Sequence, residues 1–215
     1  MNVHKAMWAW GSPVFGGAAA LASRLRSYGA ERVPKNGGVV LAINHFSWID
    51  IPCVGFATPR PLYVLAKVEA HRVPGLGQFI RAFGTISVRR GESDRDAVRR
   101  MREVVHDGNA LGVFVEGTRQ RSGVPGHVQP GAAMVALQEN APVCCVAIHG
   151  SQTWRLGNFA PVSMVWGAPL DLSGMPPGGR GYREASLEIE RELRRLWEWL
   201  VVLHADGRPR DVRLP

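Results

Sequence analysis

Cysteine is scarce: three residues in 215, at Cys53, Cys144 and Cys145. An odd count, with two of the three adjacent inside an apolar run, is not a disulfide framework. Without a Cys-x-x-Cys spacing the sequence makes no case for a metal. Buried thiols in a reducing compartment are the expected reading. Acidic residues are outnumbered as well, 18 against 26 lysines and arginines, for a formal charge of +8 and a pI near 10.2. Such a balance predicts an anionic partner (nucleic acid, membrane surface or phosphorylated substrate) without choosing among them. Internal repeats and low-complexity tracts are missing, and so is the Gly-x-Ser-x-Gly elbow of serine hydrolases. What is present is ordinary globular material. Hydrophobic residues make up 46% and charged residues 20%, which excludes a disordered chain, and the length allows one domain with a real core.

No apolar run comfortably spans a bilayer. Residues 6–22 are uncharged and carry Trp8, Trp10, Val14, Phe15 and Leu21, but they are at the lower edge of a spanning length. Gly11, Pro13, Gly16 and Gly17 interrupt them. Lys5 before the run and Ala20-Leu21-Ala22 at its end give it a weak signal-peptide look, yet a candidate catalytic motif begins only about twenty residues later. We read the segment as an interfacial anchor. The tryptophan pair would sit at headgroup level and Arg24 and Arg26 would face lipid phosphate, the alternative being a helical hairpin packed on the domain. The expected division is a membrane-interacting helical segment at 1–30 and a catalytic domain at 31–215.

Short apolar runs bounded by Gly, Pro or polar residues predict strands at 39–43, 62–66, 85–88, 110–115, 142–148 and 162–166. Residues 93–106 predict a helix. Ser93 and Asp96 resemble a capping box, Val98, Met101, Val104 and Val105 form an apolar stripe, and Gly108 follows the end. Further helices are expected at 131–140 and 182–203, the latter with Leu187, Leu193, Leu196 and Leu200 on its apolar side. Strands alternating with helices indicate a single α/β domain with a mostly parallel central sheet flanked by helices, preceded by the N-terminal apolar helical segment.

Three constellations sit at or just after predicted strand ends, where such sheets place their active sites. The first is Asn44-His45-Phe46-Ser47-Trp48-Ile49-Asp50. An imidazole can take a proton from a hydroxyl near neutral pH, and a carboxylate can fix its tautomer and stabilise the cation. An offset of five is poor for one face of a helix, so a turn over residues 44–47 must bring His45 and Asp50 together; otherwise the pair is a satisfied loop histidine beside a helix N-terminus. Ser47 reads as a local cap or donor rather than a nucleophile. The second is Gly84-Thr85-Ile86-Ser87-Val88-Arg89-Arg90, where Arg90 at a strand end could fork onto phosphate. Arg95, Arg99 and Arg102 beyond it read as a solvated basic face. The third is Val113-Phe114-Val115-Glu116-Gly117-Thr118-Arg119. Here Gly117 would allow close backbone approach, Thr118 and Arg119 offer donors, and Glu116 could order the arginines or bind a hydroxyl.

Taken together and in this order, Asn-His-x4-Asp, Gly-x-Ile-x-Val-x-Arg and Phe-x-Glu-Gly-Thr-Arg resemble the glycerolipid acyltransferase family, whose best-known members are 1-acylglycerol-3-phosphate acyltransferases. Lys67, Pro74-Gly75-Leu76-Gly77 and the late apolar strand at 141–148 fit as well, so the resemblance covers roughly residues 33–166. It implies direct acyl transfer. His45 acts as general base assisted by Asp50, and Arg90, Glu116, Gly117, Thr118 and Arg119 hold the acceptor, typically through its phosphate. The implied donor is acyl-CoA or acyl-carrier protein, with no cofactor and no metal. The implied acceptor is a lysophospholipid, foremost lysophosphatidic acid. Another acceptor (a glycolipid, a lyso-aminolipid or a natural-product alcohol) and a non-catalytic lipid-binding module stay open beside it. The expected partners are membrane lipid and acyl thioesters, not nucleic acid, and the expected location is the cytoplasmic face of the cell membrane, peripheral or monotopic. Val115, Arg89 and Cys145 stand where the family usually has proline, an acid and proline.

Overall fold

The computed structural model describes residues 3–89 and 94–215. In chain order the elements are α1 (Val3–Gly11), a π-helical turn (Ser12–Gly16), α2 (Gly17–Ala22), β1 (Arg26–Tyr28), a 3-10 turn (Ala30–Arg32), β2 (Val39–Ile43), α3 (Asp50–Ala57), β3 (Leu62–Lys67), α4 (Val68–Arg72), α5 (Leu76–Ala82), β4 (Thr85–Val88), α6 (Arg95–His106), β5 (Ala110–Phe114), α7 (Gly131–Gln138), β6 (Val143–His149), β7 (Ser163–Leu170) and α8 (Gly178–Ala205). The strands form one sheet in the order β1-β7-β6-β2-β5-β3-β4. From β6 to β4 every pairing is parallel; β7 runs antiparallel to β6, and β1 runs with β7.

The central strands are apolar because both their faces are covered. In β2, Val40 and Ala42 join a core built with Met101 and Val105 of α6, Ala132, Val135 and Ala136 of α7, and Ile189, Leu193, Leu196 and Leu200 of α8. The alternate residues Val39, Leu41 and Ile43 point to the opposite face and pack with Cys53 and Val54 of α3 and Ala19 of α2. Gly38, just before β2, lets the end of α6 press directly on the strand: a Cβ there would stand 2.2 Å from the Val105 carbonyl oxygen.

Residues 3–22 form a helical run packed on α3 and α5. Ser12 Oγ donates to the Gly55 carbonyl at 2.7 Å, and the Phe15 and Phe79 rings meet edge-on at 5.2 Å. Pro13 cannot donate in the helical ladder, and the widened π turn falls at that point. Trp10, Val14, Phe15 and Leu21 remain exposed. No helix among the described residues is long and apolar enough to cross a membrane.

Several expectations are corrected. The cap of α6 is Asp94, whose Oδ1 accepts the Ala97 N–H at 3.0 Å, and Ser93 lies outside the described residues. Leu187 is exposed, and Ile189 takes its place on the buried side of α8. At 100° per residue, 187 stands about 200° from 189, while 193 and 196 stand within about 40° of it. The last strand extends to Leu170, and a further edge strand, β1, was not anticipated.

Candidate active site

Because β2, β4 and β5 are parallel, the segments that follow them emerge at one edge of the sheet. After β2 the chain turns through residues 44–49 and enters α3 at Asp50. This turn closes the five-residue gap. His45 Nδ1 lies 2.9 Å from Asp50 Oδ2, and both side chains are buried. The same oxygen accepts the backbone N–H groups of Phe46 and Ser47, each at 2.8 Å, so its three hydrogen bonds offset the cost of burying a carboxylate at the positive end of α3. An oxygen that accepts two N–H groups and belongs to a carboxylate can only accept from the ring, so Nδ1 carries the hydrogen and the lone pair is on Nε2. Among the described residues none hydrogen-bonds Nε2. The ring is tilted 31° against Phe114, with centroids 4.2 Å apart, which fixes its plane from behind.

Two neighbours lock the turn in place. The Asn44 amide spans the backbone of Ile148 in β6, with Oδ1 accepting its N–H at 2.7 Å and Nδ2 donating to its carbonyl at 3.1 Å. From the other side, Glu116 Oε2 accepts the His45 N–H at 2.8 Å, and the His45 carbonyl accepts the Gln120 N–H at 2.7 Å. Glu116 Oε1 accepts the Gly126 N–H at 2.7 Å. Its carboxylate is therefore turned into the protein. Burial pushes it up to about 7, opposed by its two backbone donors, while the Asp50 charge adds to the rise.

An acyltransferase family model matches residues 24–149, more than half of the chain. The chain belongs to the acyltransferase family. Among curated relatives, this acyltransferase is 25% identical over 162 residues to the 1-acyl-sn-glycerol-3-phosphate acyltransferase of Bacillus subtilis, covering 73% of this chain and 80% of the relative. It is 26% identical over 133 residues to the enzyme of that name from Borreliella burgdorferi, covering 61% and 53%. It is 37% identical over 102 residues to the lyso-ornithine lipid O-acyltransferase of Pseudomonas aeruginosa, covering 46% and 37%. The chain thus spans about half or less of the latter two. The crystal structure of the 1-acyl-sn-glycerophosphate (LPA) acyltransferase PlsC from Thermotoga maritima superposes with a TM-score of 0.73 at 25% identity, over 88% of this chain and 78% of that one.

In this acyltransferase a cleft of about 420 Å³ opens between α6 and the carboxyl ends of β4 and β5; it shares Phe114 and Glu116 with the surroundings of His45, and residues 44–50 do not line it. Leu65, Val98, Met101 and Val113 give it an apolar floor, and Arg89, Asp94, Gly117 and Thr118 a polar rim. Gly117 has φ +71°, a left-handed turn that swings the loop outward after β5. Arg119 is exposed on that loop, and among the described residues its guanidinium has no hydrogen-bond partner. Arg90 lies outside the described residues. Of the residues singled out from sequence, His45, Asp50 and Glu116 are brought into one network, Glu116, Gly117 and Thr118 line the cleft, and Arg119 follows them on the exposed loop without lining it.

Sequence reasoning missed Asn44 as a strut, Phe114 as the ring's backstop, and Asp94. The last also accepts the Arg89 N–H at 2.9 Å, which ties the end of β4 to α6. An Asp one residue before a helix is a legible cap signal. His149, at the end of β6, faces α8 instead of the cleft. Its ring meets His204 at 4.6 Å, and burial lowers the pKa of both.

Proposed function

We propose that this acyltransferase moves a fatty acyl group from an acyl thioester, acyl-CoA or acyl-carrier protein, to the hydroxyl of a lysophospholipid, foremost lysophosphatidic acid. The observation that carries the reading is the oriented His45–Asp50 pair, whose Nε2 has no hydrogen-bond partner among the described residues, at the same sheet edge as the Glu116-Gly117-Thr118-Arg119 loop. His45 Nε2 takes the hydroxyl proton as the oxygen attacks the thioester carbonyl. The new C–O bond forms, the C–S bond breaks, and the proton passes to the leaving thiolate. Asp50 stabilises the imidazolium between these steps. Ser47 engages Asp50 only through its backbone, consistent with transfer that forms no acyl-enzyme. Thr118, Arg119 and Arg90 are assigned to the acceptor head group. Glu116 serves them only indirectly, since both its oxygens are occupied by backbone.

The reaction is placed at a membrane surface, the cytoplasmic face of the cell membrane. Support comes from the basic charge and from the exposed Trp10, Val14, Phe15 and Leu21 on the N-terminal helical run. A second acceptor class, a lyso-aminolipid, is favoured by the 37% identity to a lyso-ornithine lipid O-acyltransferase. Acceptor profiling decides between them: palmitoyl-CoA is incubated with lysophosphatidic acid or lyso-ornithine lipid and the acylated product is quantified by mass spectrometry. Phosphatidic acid formed at the higher kcat/KM supports the first reading. A preference for the ornithine lipid replaces it, and no product with any lysolipid, from CoA or carrier-protein donors, contradicts acyl transfer of this kind.

A further inference from the structure

We propose that the loop between β6 and β7 is a second membrane contact of this protein, inserting Leu156 and Phe159 into a bilayer rich in anionic lipid beside the N-terminal helices; the inference rests on the membrane-surface reading above. Leu156 is 85% exposed and Phe159 55%, at the tip of a loop that is not slack. Asn158 Oδ1 accepts the N–H groups of Arg155 and Ala160, and its Nδ2 donates to the Thr153 carbonyl at 2.9 Å. Phe159 is held at φ +49°, a left-handed conformation that costs energy for a residue other than glycine. Two large apolar side chains are thus presented to solvent on a braced support, at a conformational cost that burial in a lipid interface offsets.

Three observations choose a lipid surface as the occupant. The loop is continuous with the N-terminal helical run: Trp154 Nε1 donates to the Ala22 carbonyl at 3.1 Å, and the Val162 N–H donates to the Ser23 carbonyl at 2.9 Å. It is continuous with the catalytic turn too, since the Trp154 ring meets the half-exposed Trp48 edge-on at 5.1 Å, three residues from His45. The charge is one-sided. Residues 1–30 contain no Asp or Glu, and between Gly117 and Leu170 the single acid is Glu139, which pairs with Arg102 and His106 before β6 begins, away from its His149 end. Arg24, Arg119, Arg121 and Arg155 are exposed on these same segments. Exposed apolar side chains on acid-poor segments that also carry exposed arginines suit an anionic bilayer.

The test is cosedimentation with vesicles of phosphatidylcholine containing phosphatidylglycerol, comparing wild type with the Leu156→Ser/Phe159→Ser double variant. In parallel, an environment-sensitive fluorophore is placed on Leu156→Cys; the native cysteines are buried and do not compete for label. The proposal expects vesicle partitioning of the double variant to fall about tenfold or more, the label to shift to the blue on vesicles, and turnover of a short-chain, water-soluble acceptor to stay within about twofold of wild type. Wild type that binds, with an undiminished double variant and an unshifted label, overturns the loop's role and leaves the N-terminal anchor standing. Wild type that ignores anionic vesicles overturns both. Loss of soluble turnover in proportion to binding would put the loop in the catalytic machinery and also overturn the proposal.

Discussion

Glu116 grips His45 by its backbone: the His45 N–H donates to Glu116 Oε2 at 2.8 Å, across 71 residues of sequence. The glutamate of the third motif therefore holds the backbone of the histidine of the first. It ties the loop after β5 to the turn after β2 and, through Oε1, to Gly126.

This placement sets a pH dependence opposite to that of a typical ion-paired carboxylate. The folded-state value, about 7, lies above the ordinary 4.5. The contribution of Glu116 to stability is thus fully present below 4.5 and is lost as pH rises through 7, by up to about 3 kcal/mol. Chemical denaturation of wild type and Glu116→Gln at pH 4.5 and 7.5 checks this. The wild type should lose stability relative to the variant as pH rises, and parallel profiles would refute the assignment. At pH 7.5 the variant, left with one acceptor oxygen for two backbone donors, should also turn over about tenfold more slowly.

Asp50→Asn separates orientation from charge. An asparagine oxygen can replace Oδ2 as acceptor for Nδ1 and the two backbone N–H groups, and its amide can occupy the position of Oδ1, which has no partner among the described residues. The fold should survive with the imidazolium no longer stabilised. We expect kcat to fall about 10²–10⁴-fold with KM for the acceptor little changed. Retention of more than half the wild-type kcat would mean that Asp50 is structural.

Asn44 is a strut whose two ends cannot be exchanged, because Ile148 offers it one donor and one acceptor. Asn44→Ala strands both groups in the core and should cost about 1–3 kcal/mol. Asn44→Asp adds a charge facing the Ile148 carbonyl and should cost more. Urea unfolding of the two variants gives the order, and an aspartate variant as stable as wild type would contradict the geometry.

Much of this arrangement is legible in the chain because the local pattern and the tertiary environment agree. Val39-Val40-Leu41-Ala42-Ile43 is apolar at every position since both faces of β2 are covered, and its predicted bounds match. Thr85–Val88 is bounded by Gly84 in a left-handed turn and by arginines, and it matches too. β1 was invisible for the opposite reason: Arg26-Ser27-Tyr28 has no strand pattern of its own and is extended because β7 offers it an edge. At the site, the His45–Asp50 pair could be inferred because one turn spans it. The inward orientation of Glu116 could not, since both groups that capture it are backbone N–H groups, which leave no mark in sequence. Leu187 shows the same limit in reverse: its type fits a buried helix face and its angle does not.

The central claim, that His45 is the general base of an acyl transfer, is tested most directly by free-thiol release from palmitoyl-CoA with and without lysophosphatidic acid, for wild type and His45→Ala side by side. We expect release that depends on the acceptor in wild type and falls about 10²–10⁴-fold in the variant. Release that ignores the acceptor and survives His45→Ala would mean thioester hydrolysis by other residues, and the mechanism would be wrong.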